Sequence, residues 1–75
     1  MELEIDLHNL TAAEAKIELD RCLNSAPKGK VTVFVIHGSN RGSVLQKMVR
    51  TAYKHKRIER KILGLNQGVT ELILK

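Results

Sequence analysis

Seventy-five residues, 43% apolar and 28% charged, suffice for one folded domain that buries roughly 60% of the surface its unfolded chain exposes; a second domain and a disordered chain are both excluded. No apolar run approaches the ~18 residues of a membrane span, and the acidic start MELEIDL lacks the basic segment of a signal peptide, so a cytoplasmic chain is expected. The net charge of +5 is segregated. Residues 1 to 25 carry Glu2, Glu4, Asp6, Glu14, Glu18 and Asp20 against Lys16 and Arg21. Residues 41 to 61 carry Arg41, Lys47, Arg50, Lys54, Lys56, Arg57, Arg60 and Lys61 against Glu59 alone. Such a dipolar chain has one face suited to phosphates, or simply to water.

Glu2 to Leu7 alternates polar and apolar residues, the period of a half-buried strand, which places Asp6 and His8 on one face. Thr11-Ala12-Ala13-Glu14 is a capping box that opens a helix running to about Leu23. Ala12, Ala15, Leu19, Cys22 and Leu23 form its inward stripe, with Ile17 on the far side. The single cysteine, Cys22, has no disulfide partner and reads as a small buried hydrophobe. Ala26-Pro27-Lys28-Gly29 breaks the chain before Val31 to Ile36, a β-branched central strand apolar on both faces that ends at His37. From about Ser43 a second amphipathic helix turns Leu45, Met48, Val49, Ala52 and Tyr53 inward and Gln46, Lys47, Arg50 and Lys54 outward. Arg57 to Leu63 reads as a third strand, Gly64 to Gly68 as a tight turn and Val69 to Leu74 as a fourth strand antiparallel to the third. The order βαβαββ predicts a two-layer α/β (α+β) sandwich: a four-stranded mixed sheet with both helices on one face.

In open α/β sheets ligands bind at the carboxyl ends of the parallel strands, where His8 and His37 both stand. Two imidazoles there could act as acid and base in phosphodiester cleavage, with Asp6 orienting His8; equally, both could be strand-end histidines bonded to loop backbone. The loop Gly38, Ser39, Asn40, Arg41, Gly42 leads into a helix N-terminus and admits a phosphate. Together with Lys47, Arg50, Lys54, Arg57 and Arg60 it points to a nucleic-acid backbone as partner. Mononucleotide fingerprints of the GxxxxGK[ST] and GxGxxG types are absent. His8, His37 and His55 lack the spacing of zinc ligands, whereas a hydrated Mg²⁺ held at Asp6 is left open. Phe34 and Tyr53 are the only aromatics, so contacts to backbone rather than stacking on bases are expected.

Asp6-Leu7-His8-Asn9-Leu10-Thr11 resembles the DLHGLT motif that opens the Smr (small MutS-related) domain. Glu14-Ala15 and Leu19-Asp20 follow as in that family. His37-Gly38 is similar to its HGxG signature, with Asn40 in place of the second glycine, and Gly68-Val69-Thr70 to its closing Gly-x-Thr strand. The resemblance implies a sheet like that of the C-terminal domain of translation initiation factor three, with the last strand inserted between the second and third. It also implies nucleic-acid binding and, as in several members, endonuclease activity on DNA or RNA, with Asp6, His8, His37 and Gly38 at the site. The alternative is a non-catalytic module that docks on DNA, structured RNA or the ribosome. No membrane partner is expected, and the chain is expected to be a monomer or a weak dimer through its open sheet face.

Overall fold

The computed structural model describes residues 1–38 and 43–75. Its elements follow the predicted order: β1 (Glu2–Asp6), α1 (Ala12–Ser25), β2 (Val31–Ile36), α2 (Val44–Lys47) continuing into a π-helical turn (Met48–Ala52), β3 (Ile58–Ile62) and β4 (Val69–Leu74). The strands lie in the order β1-β2-β4-β3. β1 runs parallel to β2, and β4 is antiparallel to both β2 and β3. The last strand is thus inserted between the second and third, as the family resemblance implies, and β1, β2 and β3 point the same way.

α1 begins as its capping box dictates. The Glu14 amide donates to Thr11 Oγ1 at 3.1 Å and the Thr11 amide to Glu14 Oε1 at 2.9 Å, so two amides that the helix itself leaves unbonded are satisfied. The helix buries Ala15, Leu19 and Leu23, while Ile17 faces solvent as its phase requires. These side chains meet Leu7, Val31, Val33, Val35, Leu72 and Leu74 from the sheet and Val49 and Tyr53 from the second helical segment, forming one core. Both helical segments therefore cover the same sheet face. On the opposite face Thr32, Phe34, Ile36, Glu71 and Ile73 are half-buried by their neighbours in the sheet alone. Cys22 packs half-buried against the core, and burial pushes its thiol pKa up, consistent with an inert side chain.

The second helix departs from its predicted form. Only Val44–Lys47 is α-helical; the chain then widens into the π-helical turn, closed by the Tyr53 amide on Met48 O at 2.7 Å. Each wider turn shifts the phase of the residues after it, so Ala52, expected inward, is exposed. Tyr53 leaves the helix in an extended conformation and buries its ring, with the hydroxyl donating to Asp20 Oδ1 at 2.7 Å. That hydrogen bond holds the Asp20 carboxyl below its ordinary pKa, and burial with the nearby carboxylate pushes the Tyr53 phenol up.

Candidate functional site

The Leu7 amide donates to Ile36 O at 2.7 Å, which fastens the carboxyl end of β1 to that of β2. The Leu10 amide returns to Leu7 O at 3.1 Å and closes a turn around His8 and Asn9. Asn9 takes φ 72, a left-handed conformation that asparagine tolerates better than most residues, and it stands where the DLHGLT motif has glycine. The turn leaves His8 on the same side as Asp6. His8 Nδ1 lies 2.5 Å from Asp6 Oδ1, and the His8 amide donates to the same oxygen at 3.0 Å. A carboxylate can only accept, so Nδ1 carries the proton and Nε2 is left free. The imidazole side chain is 56% exposed. Both donors hold the Asp6 carboxyl below its ordinary pKa, so it stays ionised through neutral and mildly acid solution.

Gly38 is the immediate neighbour. Its φ of 76 belongs to the left-handed region that favours glycine, and a Cβ built there would lie 3.7 Å from His8 Cβ. Its amide and that of His37 both donate to Gly68 O, at 3.0 and 2.9 Å, which brings the β3–β4 turn against the end of β2.

His37 is placed differently from the expectation of two imidazoles facing one cleft. It is only 4% exposed. Its Nδ1 lies 3.1 Å from Gly38 O and its Nε2 2.8 Å from the buried Thr70 hydroxyl, which in turn accepts from Arg50 Nε at 2.7 Å. The carbonyl requires Nδ1–H; the Thr70 hydroxyl, accepting from Arg50, donates its own proton to Nε2. His37 is neutral in this chain of bonds. Burial, reinforced by the Arg50 charge, lowers its pKa from the ordinary 6.5. The unfolded chain then binds more protons than the native one once the pH falls below 6.5, so stability is full above that value and drops as the solution is acidified. Urea midpoints should therefore fall between pH 7.5 and 5, and His37→Gln should flatten that slope; an unchanged slope would remove the buried neutral histidine.

The basic residues divide into two groups. Arg50 donates from Nη2 to Asn66 O and Val69 O at 3.2 and 2.8 Å, and its Nη1 reaches Gln67 Oε1, so it staples the 64–68 turn. Arg57 donates to Leu23 O, Ala26 O, Pro27 O and Gly29 O at 2.7 to 3.3 Å. The last turn of α1 contains no basic residue, and Arg57 supplies from the turn before β3 the charge and donors that this helix end lacks. Lys61 Nζ donates to Val49 O and Tyr53 O at 2.8 and 2.7 Å, closing the π-helical turn; burial and the nearby Lys54 lower its pKa. Arg50 and Arg57, expected to grip phosphates, are thus engaged with the protein's own carbonyls. Lys47, Lys54, Lys56 and Arg60 are exposed, and among the described residues their side chains take part in none of these bonds. Ser39, Asn40, Arg41 and Gly42 lie outside the described residues.

Thr70 and the Asn66–Gly68 turn were not singled out as functional by sequence reasoning, although the Gly-x-Thr pattern marked their position. Among the described residues no group of three or more His, Cys, Asp or Glu is arranged to hold a metal ion, and Asp6 would offer a single carboxylate. Nor is any helix of the described residues long and apolar enough to cross a membrane.

The profile of the Smr domain matches residues 5–71 of the chain. The chain belongs to the Smr domain family. It is similar to the protein described as endonuclease MutS2 of Thermus thermophilus, with 37% identity over 57 residues, which cover 75% of this chain. The chain spans only 8% of that relative's length. It is also similar to the crystal structure of the Smr domain of Thermus thermophilus MutS2, at 30% identity and a TM-score of 0.74, over 97% of this chain and 98% of the other. The four-stranded mixed sheet with its two helical segments is therefore the Smr architecture, and the ends of β1 and β2 carry the family's motif residues.

Proposed function

We propose that this Smr domain binds nucleic acid and cuts phosphodiester bonds endonucleolytically at His8. The observation that carries the reading is the Asp6–His8 pair: an ionised carboxylate fixes Nδ1–H and leaves Nε2 free, beside the glycine at Gly38 where a phosphate can approach closely. His8 Nε2 takes the proton from the nucleophile, water on DNA or the 2′-hydroxyl on RNA, as its oxygen bonds to phosphorus; the P–O bond to the leaving oxygen breaks, and that oxygen takes a proton from solvent water. Asp6 fixes the tautomer and stabilises the imidazolium that results. His37 has no free ring nitrogen, and its role is to position Gly38 and the β3–β4 turn through Thr70. Lys47, Lys54 and Arg60, with Arg41, supply the charge that holds the backbone. Kinship with a protein described as an endonuclease supports this assignment.

Burial of His37 favours a second reading, binding without turnover, because it removes one of the two titrating groups expected at the site. Nicking of supercoiled plasmid DNA and cleavage of structured RNA separate the two. Turnover that His8→Ala abolishes supports the nuclease; retained binding with no turnover supports the docking module. In either case affinity should weaken with salt, and Lys47→Ala or Lys54→Ala should each reduce the log–log slope by about one.

A further inference from the structure

Leu65 is fully exposed, and Leu63 beside it is 53% exposed. The turn carrying these two leucines is not loosely attached. Arg50 bonds to Asn66 O and Val69 O, Gln46 Nε2 donates to Gln67 O and Oε1 at 2.9 Å, and the Gly68 amide donates to Asn66 Oδ1 at 2.8 Å. The turn is also fastened to the candidate site itself, through Gly68 O and the amides of His37 and Gly38. Leu65 lies three positions before Gly68, which limits it to within about 11 Å of that contact along the chain. The exposed Leu65 therefore lies at the end of the sheet that carries His8.

From this placement we infer that Leu65 is an apolar wedge that enters a disturbed base step next to the phosphate held at His8, so that the substrate class is bulged, nicked or otherwise unstacked nucleic acid rather than perfect duplex. The inference rests on the nucleic-acid reading above and names its substrate. Aliphatic side chains serve as wedges between base steps in proteins that kink duplexes, and unstacking is least unfavourable where the stack is already broken. The aromatic alternatives are unsuited, since Tyr53 is buried and Phe34 is half-buried on the open sheet face, away from the helices. The bound of about 11 Å on Leu65 reaches only to Gly68, and Gly38 and the His8 side chain lie beyond it, so with a rise of 3.4 Å per base pair the cleaved bond falls within roughly six nucleotides of the wedged step.

The test uses fluorescein-labelled duplexes of one sequence, perfect or carrying a two-nucleotide bulge flanked by 2-aminopurine. Titrations follow anisotropy for affinity and 2-aminopurine emission for unstacking, with wild type, Leu65→Asn and Leu65→Met. Wild type should bind the bulged duplex roughly tenfold to a hundredfold more tightly than the perfect one, the range expected for burying one leucine side chain. Leu65→Asn should bring that preference to near unity while leaving perfect-duplex affinity and its salt slope unchanged; Leu65→Met should keep most of it. Because Leu65 touches no core residue, the variants should match wild type in circular dichroism. An undiminished preference in Leu65→Asn, equal wild-type affinity for the two duplexes, or a wild-type dimer that Leu65→Asn dissociates would overturn the wedge and leave nucleic-acid binding standing. Failure of wild type to bind any duplex would overturn both.

Discussion

His8→Ala should lower the rate of phosphodiester cleavage by about 10²- to 10⁴-fold, the range for removal of a positioned general acid–base, while changing nucleic-acid affinity less than threefold. The imidazole is exposed and contributes nothing to the core, so the variant should melt with wild type and the loss will read as chemistry. Asp6→Asn tests the other half of the pair. An amide oxygen can still accept the Nδ1–H, which keeps the tautomer, but it removes the charge that steadies the imidazolium; cleavage should fall by less than in His8→Ala, with KM unchanged. Since the Asp6 carboxyl is held below its ordinary value of 3.8, its protonation lies outside the neutral range, and wild-type activity should not decline on its account until the solution is strongly acid. Equal cleavage by wild type and His8→Ala would remove His8 from the reaction.

The parts of this fold that were legible in the sequence are those fixed by neighbouring residues. The capping box at Thr11 and Glu14, the alternation of β1 and the tight turn after β3 each depend on contacts a few positions apart, and each stands where the pattern predicted it. The insertion of β4 between β2 and β3 followed from the family resemblance and not from local pattern, because hairpin pairing with β3 is equally satisfied at a sheet edge. The π-helical turn was invisible for a related reason. Its i,i+5 bond is selected by where Tyr53 must bury its ring and reach Asp20, a contact 33 positions away. At the site, the Asp6–His8 pair was readable from period-two alternation, whereas the fate of His37 depended on Thr70, also 33 positions distant. The basic residues were the least legible of all. A guanidinium presents the same donors to a phosphate as to a carbonyl, and only the folded chain shows that Arg50 and Arg57 face carbonyls.

Arg50 provides the sharpest contrast between these uses of a cation. Arg50→Ala leaves the fully buried Thr70 hydroxyl without its donor and frees Asn66 O and Val69 O, so that the 64–68 turn keeps only its bonds to Gln46 and to the His37 and Gly38 amides, and His37 loses the orientation of its partner. Hydrogen bonds from a charged donor contribute roughly 1.5–3 kcal/mol each but are not additive within one network, and a combined loss of about 2–4 kcal/mol is expected. A domain of this length has about 4–11 kcal/mol in all, at roughly 0.05–0.15 kcal/mol per residue, so the variant forfeits a large share of its stability. Its melting temperature should fall by roughly 10–25 °C in calorimetry. Arg50→Lys should recover little, since an ammonium cannot reproduce the planar fork that reaches Thr70 and two carbonyls at once. Lys47→Ala, at an exposed position, should leave stability within about 0.5 kcal/mol while reducing the salt dependence of binding. The reverse pattern, with Arg50→Ala melting with wild type and losing a phosphate contact, would restore Arg50 to the nucleic-acid interface. The expected pattern instead makes it the residue that holds the β3–β4 turn, and with it Leu65, against the edge that carries His8.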